Sequence, residues 1–167
     1  MSRHGYTDDM DDPLAHGRWR AQVLSALRGK RGQALLRELA EALDAMPDKR
    51  LYPGRFATAE GEFCALGVLG EKRGTKMDDL GDEDWCDTAL VGERFGIANA
   101  MALEIMYLND EYMVDTWKWV DIEICGPMRP YYPDWDRHIR TVRVHNDNHP
   151  QERWQRMRDW VRENLVA

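Results

Sequence analysis

The sequence predicts a mainly helical α+β fold, a compact helical domain carrying an antiparallel β-hairpin. Apolar residues recur at helical spacing in several segments, most clearly at Leu35, Leu39, Leu43 and Met46. The period then drops to two: Val120, Ile122 and Ile124 alternate with Trp119, Asp121 and Glu123, and Ile139 to Val144 repeats strand patterning. A length of 167 residues with 43% apolar content is enough for one domain with its own core and no covalent staple.

Each element has its own signal. Residues 1–13 read as an acidic tail, with Asp8, Asp9, Asp11 and Asp12 ahead of Pro13. A helix with Trp19, Val23 and Leu27 on one face follows, and Gly29-Lys30-Arg31-Gly32 interrupts it, since glycine in a helix interior costs about 1 kcal/mol. The leucine stripe ends at Pro47. Phe63 to Gly70 has almost no polar residue, and 63–73 reads as a central helix around which the others pack. Lys72-Arg73-Gly74 closes it, with cations in the last turn before a residue tolerant of positive φ. Gly67 leaves room for a close approach by another helix. Trp85 to Arg94 and Ile97 to Leu108 are two further helices. The hairpin arm falls at about 112–148, within a domain spanning 14–167. The last helix opens at His149-Pro150-Gln151-Glu152, with His149 as cap and Trp154, Met157, Val161 and Leu165 inward.

The formal charge of −7 is unevenly spread. Residues 1–17 carry −3, residues 18–55 +5, residues 56–125 −11 and residues 126–167 +2. Direct nucleic-acid binding is disfavoured by the acidic centre, although the arginines of 126–143 leave it open locally. Asp78, Asp79, Asp82, Glu83, Asp84 and Asp87 form an acidic surface that is either a solvated loop or an imitation of a phosphate backbone. No apolar run approaches the ~20 residues of a membrane span, and the N-terminus has no apolar leader core, so a cytoplasmic protein is expected. Cys64, Cys86 and Cys125 lack both disulfide and zinc spacing and suit a reducing compartment.

Several segments, taken in order, resemble a family of small uncharacterised phage and prophage proteins. They are Arg28-Gly29-Lys30-Arg31-Gly32-Gln33, Ala42-Leu43-Asp44-Ala45-Met46-Pro47-Asp48-Lys49-Arg50-Leu51, Cys64-Ala65-Leu66-Gly67, Phe95-Gly96-Ile97-Ala98, Glu104-Ile105, Asn109-Asp110-Glu111 and Glu152-Arg153-Trp154 with Arg156-Met157-Arg158. The resemblance implies a phage or prophage origin and a bacterial host cytoplasm. It brings no catalytic residues with it. Residues 112–148 have no counterpart in that pattern, so the hairpin reads as an insertion on a shared helical body.

The insertion is where function is expected, since inserted surface elements commonly carry it. Trp117, Trp119, Arg129, Tyr131, Tyr132, Trp135, Arg137, Arg140 and Arg143 are the residue types that dominate binding hot spots. They form a candidate partner-binding surface, unless they pack onto the last helix. His138, His145 and His149 with nearby aspartates are weak metal candidates in no recognised ligand spacing. Cys64 lies in apolar surroundings that oppose a reactive thiolate. Gly29 to Gln33 could hold an anion at a helix N-terminus but lacks the phosphate-loop pattern. No catalytic set is legible and no cofactor is expected. The leading expectation is a non-catalytic phage or prophage accessory protein that binds and inhibits a host protein, such as a defence component. A binder of a small anionic, nucleotide-like ligand is the first alternative. A metal- or Cys-dependent enzyme is the second.

Overall fold

A computed structural model describes residues 13–80, 87–110, 117–123 and 139–166. Among them are six helices and one two-stranded antiparallel sheet, a mainly helical α+β fold as the periodicities predict. The elements are α1 (Pro13–Arg28), α2 (Lys30–Ala45), α3 (Ala65–Arg73), α4 (Thr88–Phe95), α5 (Asn99–Asp110), β1 (Trp117–Glu123), β2 (Ile139–His145) and α6 (His149–Asn164). No helix among the described residues is long and apolar enough to cross a membrane.

Pro13 belongs to α1 as its first residue, not to the preceding tail, because its fixed φ and missing N–H suit a helix start. The α1–α2 break falls at Gly29, as the glycine pair predicts. Gly32 serves a different end. A Cβ there would lie 2.1 Å from the Ala26 carbonyl oxygen, so its absence lets α2 begin against the end of α1. Beside it the buried Gln33 donates to the carbonyls of Leu27 and Asn164 and accepts from the Val166 amide, tying the last turn of α1 and the end of α6 to the elbow. At the other end of α2, Lys49 Nζ folds back onto the carbonyls of Leu43, Asp44 and Met46, a cation at the negative end of the helix dipole.

Helix α3 starts two residues later than the apolar run suggests. Phe63 is held in an isolated β-bridge with Ala57, and Cys64 caps the helix, its Sγ accepting from the Gly67 amide at 3.4 Å. The segment that Gly67 admits is a loop and not a helix: a Cβ there would sit 1.7 Å from the Phe56 carbonyl oxygen. The central helix is α5. Its residues Ala100 to Asn109 are buried on every side, and it packs against α1, α3, α4 and α6. The C-terminal turn of α3 is solvent-exposed instead. Helix α4 starts at Thr88 because the Asp87 carboxylate accepts from the Ala89 and Leu90 amides, and it ends at Gly96 with φ 72°.

Helix α6 docks through cations on the C-terminus of α5. Arg153 is 2% exposed, and donates from Nε to the Asn109 carbonyl at 2.6 Å and from Nη1 to the Leu51 carbonyl at 3.2 Å. Arg156 donates to the Leu108 carbonyl. Burial, reinforced by the Arg156 charge, pushes the Arg153 guanidinium down to about 10. The cap of α6 is Asn148 and not His149, so Pro150 is the second helical residue. The Glu152 carboxylate accordingly accepts from the Asn146 side chain instead of closing a capping box.

Candidate partner-binding hairpin

The β1–β2 register pairs Trp117 with His145, Trp119 with Arg143, Asp121 with Thr141 and Ile122 with Arg140. Directly opposed residues of an antiparallel pair share a face. One face therefore carries Trp117, Trp119, Asp121, Thr141, Arg143 and His145. The other carries Lys118, Val120, Ile122, Arg140, Val142 and Val144. The register brings Arg143 together with the two tryptophans and places Arg140 on the opposite side.

Both tryptophans face solvent: Trp119 is 71% exposed and Trp117 44%. Neither is among the described residues that pack against the core, and the strands' principal contact is each other. Trp154, Trp160 and Trp19 do pack against the core, each partly buried. The Arg143 guanidinium lies over the Trp117 ring, 5.0 Å from its centroid, a cation–π contact across the strand diagonal. His145 meets the edge of the same ring at 5.4 Å. Thr141 donates to Asp121 Oδ1 at 2.7 Å, ordering the middle of this face.

The base of the arm is tied to α6. His145 Nδ1 is 2.8 Å from Asp147 Oδ1, and this hydrogen bond, with the nearby imidazole charge, lowers the Asp147 carboxyl. His149 Nδ1 is 2.8 Å from the Asn146 carbonyl oxygen, which makes that nitrogen the donor. The two imidazoles meet edge to face at 5.8 Å. Among the described residues no three His, Cys, Asp or Glu side chains gather as metal ligands. Arg129, Tyr131, Tyr132, Trp135, Arg137 and His138 lie outside the described residues.

The acidic surface is partly committed to the fold. Asp79 receives two Arg94 hydrogen bonds at 2.9 Å, which hold its carboxyl down at about 2, while Arg94 also donates to the Lys76 carbonyl. Asp87 is the α4 cap. Asp78 is exposed, and Asp82, Glu83 and Asp84 lie outside the described residues with Cys86 and Cys125. Cys64 is 1% exposed and acts as a cap. The basic turn at Gly29 to Gln33 is a packed elbow whose glycine faces α1 carbonyls, the reverse of an anion cradle.

Two polar residues of consequence, Arg153 and Glu104, carried no expected role. Glu104 had a signal, being the one charged residue between Ile97 and Leu108. Arg153 had none, because its partners are backbone carbonyls set by the fold. No family model matches the chain, and no curated protein or solved structure is significantly similar to it.

Proposed function

We propose that the protein is a non-catalytic binding protein whose β1–β2 arm docks onto a partner protein. In its fuller form the reading is a phage or prophage accessory protein that binds and inhibits a host protein, such as a defence component. The observation that carries it is the solvent-facing Trp119, 71% exposed, beside the Arg143–Trp117 pair on one face of the hairpin. A large apolar side chain left in water forgoes roughly 1.5–3 kcal/mol of burial, and Trp with Arg is the composition of binding hot spots. A two-stranded hairpin is also marginal by itself, so a partner's surface would add order to it.

The test is affinity capture from bacterial lysate with the intact chain and with a Trp117→Ala/Trp119→Ala variant of matched circular dichroism and melting temperature. A specific protein retained by the wild type and lost by the variant supports the reading. A captured protein held equally by both removes the hairpin from the interface.

A further inference from the structure

Helix α5 is buried from Ala100 to Asn109, and one carboxylate sits in its middle. Glu104 is 4% exposed. Its Oε1 accepts from Arg20 Nη1 at 2.6 Å, whereas its Oε2 is shut off from solvent and has no hydrogen-bond partner among the described residues. An unpaired buried polar atom costs about 1–3 kcal/mol, more when charged, and an apolar residue at this position would carry no such penalty. Native structures hold few such atoms, and each calls for a donor.

Glu104 lines a cleft of about 710 Å³ between α1, α5 and α6. Tyr107 and Trp160 supply ring surface, and among the described lining residues Glu152, Glu163 and Asp159, the last paired with Arg162, add carboxylates that with Glu104 outnumber the guanidinium groups of Arg20 and Arg156. The volume lies in the ~300–1,000 Å³ range of small-molecule sites. An excess of carboxylates opposes anions, and aromatic faces attract organic cations.

We propose that this cleft binds a small organic cation bearing a guanidinium or primary ammonium group. Its N–H donates to the unused Glu104 oxygen, and its carbon chain lies against Tyr107 and Trp160. The Arg20 side chain, 41% exposed, lines the same cleft and keeps its ion pair with Oε1, so the ligand meets the other oxygen. The site lies on the helical body and does not depend on the hairpin reading.

Calorimetric titration with agmatine and spermidine, with succinate as the anionic control, tests it. The expected result is saturable binding of at least one cation to the wild type, weaker by about tenfold or more in Glu104→Gln and unchanged in Trp119→Ala. Glu163→Gln, on the exposed part of the lining, is expected to weaken binding a few-fold and serves if Glu104→Gln does not fold. No binding of either cation at millimolar concentration overturns the proposal. So does equal affinity in the carboxylate variants, or succinate binding as tightly as agmatine.

Discussion

Asn109 Oδ1 accepts the backbone amide of Ala65 at 3.0 Å, joining the end of α5 to the start of α3 across 44 residues of sequence. The first turn of a helix leaves amides without intrahelical partners, and here two are met by side chains: Ala65 by Asn109 and Gly67 by Cys64. Asn109 Nδ2 donates in turn to the Tyr52 carbonyl and to Asp110 Oδ1, and the latter also accepts from the Gly54 amide. The Cys64-Ala65-Leu66-Gly67 and Asn109-Asp110 segments thus meet at one buried junction, which explains both without a catalytic role.

Asn109→Ala removes three hydrogen bonds at a residue 1% exposed and leaves the Ala65 amide and the Tyr52 carbonyl unserved. At ~1 kcal/mol per bond plus the desolvation of the orphaned groups, a loss of about 2–4 kcal/mol is expected in urea unfolding. A loss below about 1 kcal/mol would mean that the junction does not hold the two helices together.

How far the chain was legible follows from what each signal depends on. The α2 stripe and the strand alternation are local periodicities, and both stand where the sequence puts them. Helix starts shifted wherever a cap decided them: Cys64 and Asp87 end the coil inside runs whose composition alone continues the helix. Uninterrupted apolar length makes 63–73 more prominent than α5 in the sequence, whereas centrality depends on how many neighbours cover a helix. On the hairpin, the residue types were visible in the sequence. Which arginine shares a face with Trp117 and Trp119 depends on strand register, and that is set by both strands together.

Two glycine substitutions should diverge in sign. Gly67→Ala places a Cβ 1.7 Å from the Phe56 carbonyl oxygen, a backbone atom that cannot turn aside; a loss above about 4 kcal/mol or failure to fold is expected. Gly17→Ala lies inside α1 with no described residue within 4 Å of the added carbon, so it should gain about 0.5–1 kcal/mol through helix propensity. Paired denaturation curves check both.

Acid should weaken the fold through Asp79. Its folded-state carboxyl is depressed from 3.8 to about 2, chiefly by the Arg94 hydrogen bonds. A depressed carboxyl contributes stability that is full above the unfolded value and lost as pH falls through the folded one. Asp44, lowered chiefly by its Arg158 hydrogen bonds, acts in the same direction. Asp79→Asn should therefore melt below the wild type at neutral pH, with the gap closing between pH 3.8 and about 2. A gap that persists unchanged at the low end would assign the loss to something other than this ion pair.

Tryptophans of the arm and of the body should respond very unequally to truncation. Trp154 packs against the core, donates from Nε1 to the Leu43 carbonyl at 3.2 Å and carries Lys49 Nζ 5.3 Å from its ring centroid. Trp154→Ala removes packing, a hydrogen bond and a support of the α2 cap together, and about 3–5 kcal/mol of stability should go with it. Trp119→Ala removes a side chain that is 71% exposed, so its effect on unfolding should stay within about 0.5 kcal/mol. If Trp119→Ala instead costs stability comparable to Trp154→Ala, the ring is a packing residue of the fold and the docking surface loses its anchor. If the fold is indifferent to it, any loss of partner binding by that variant belongs to the interface.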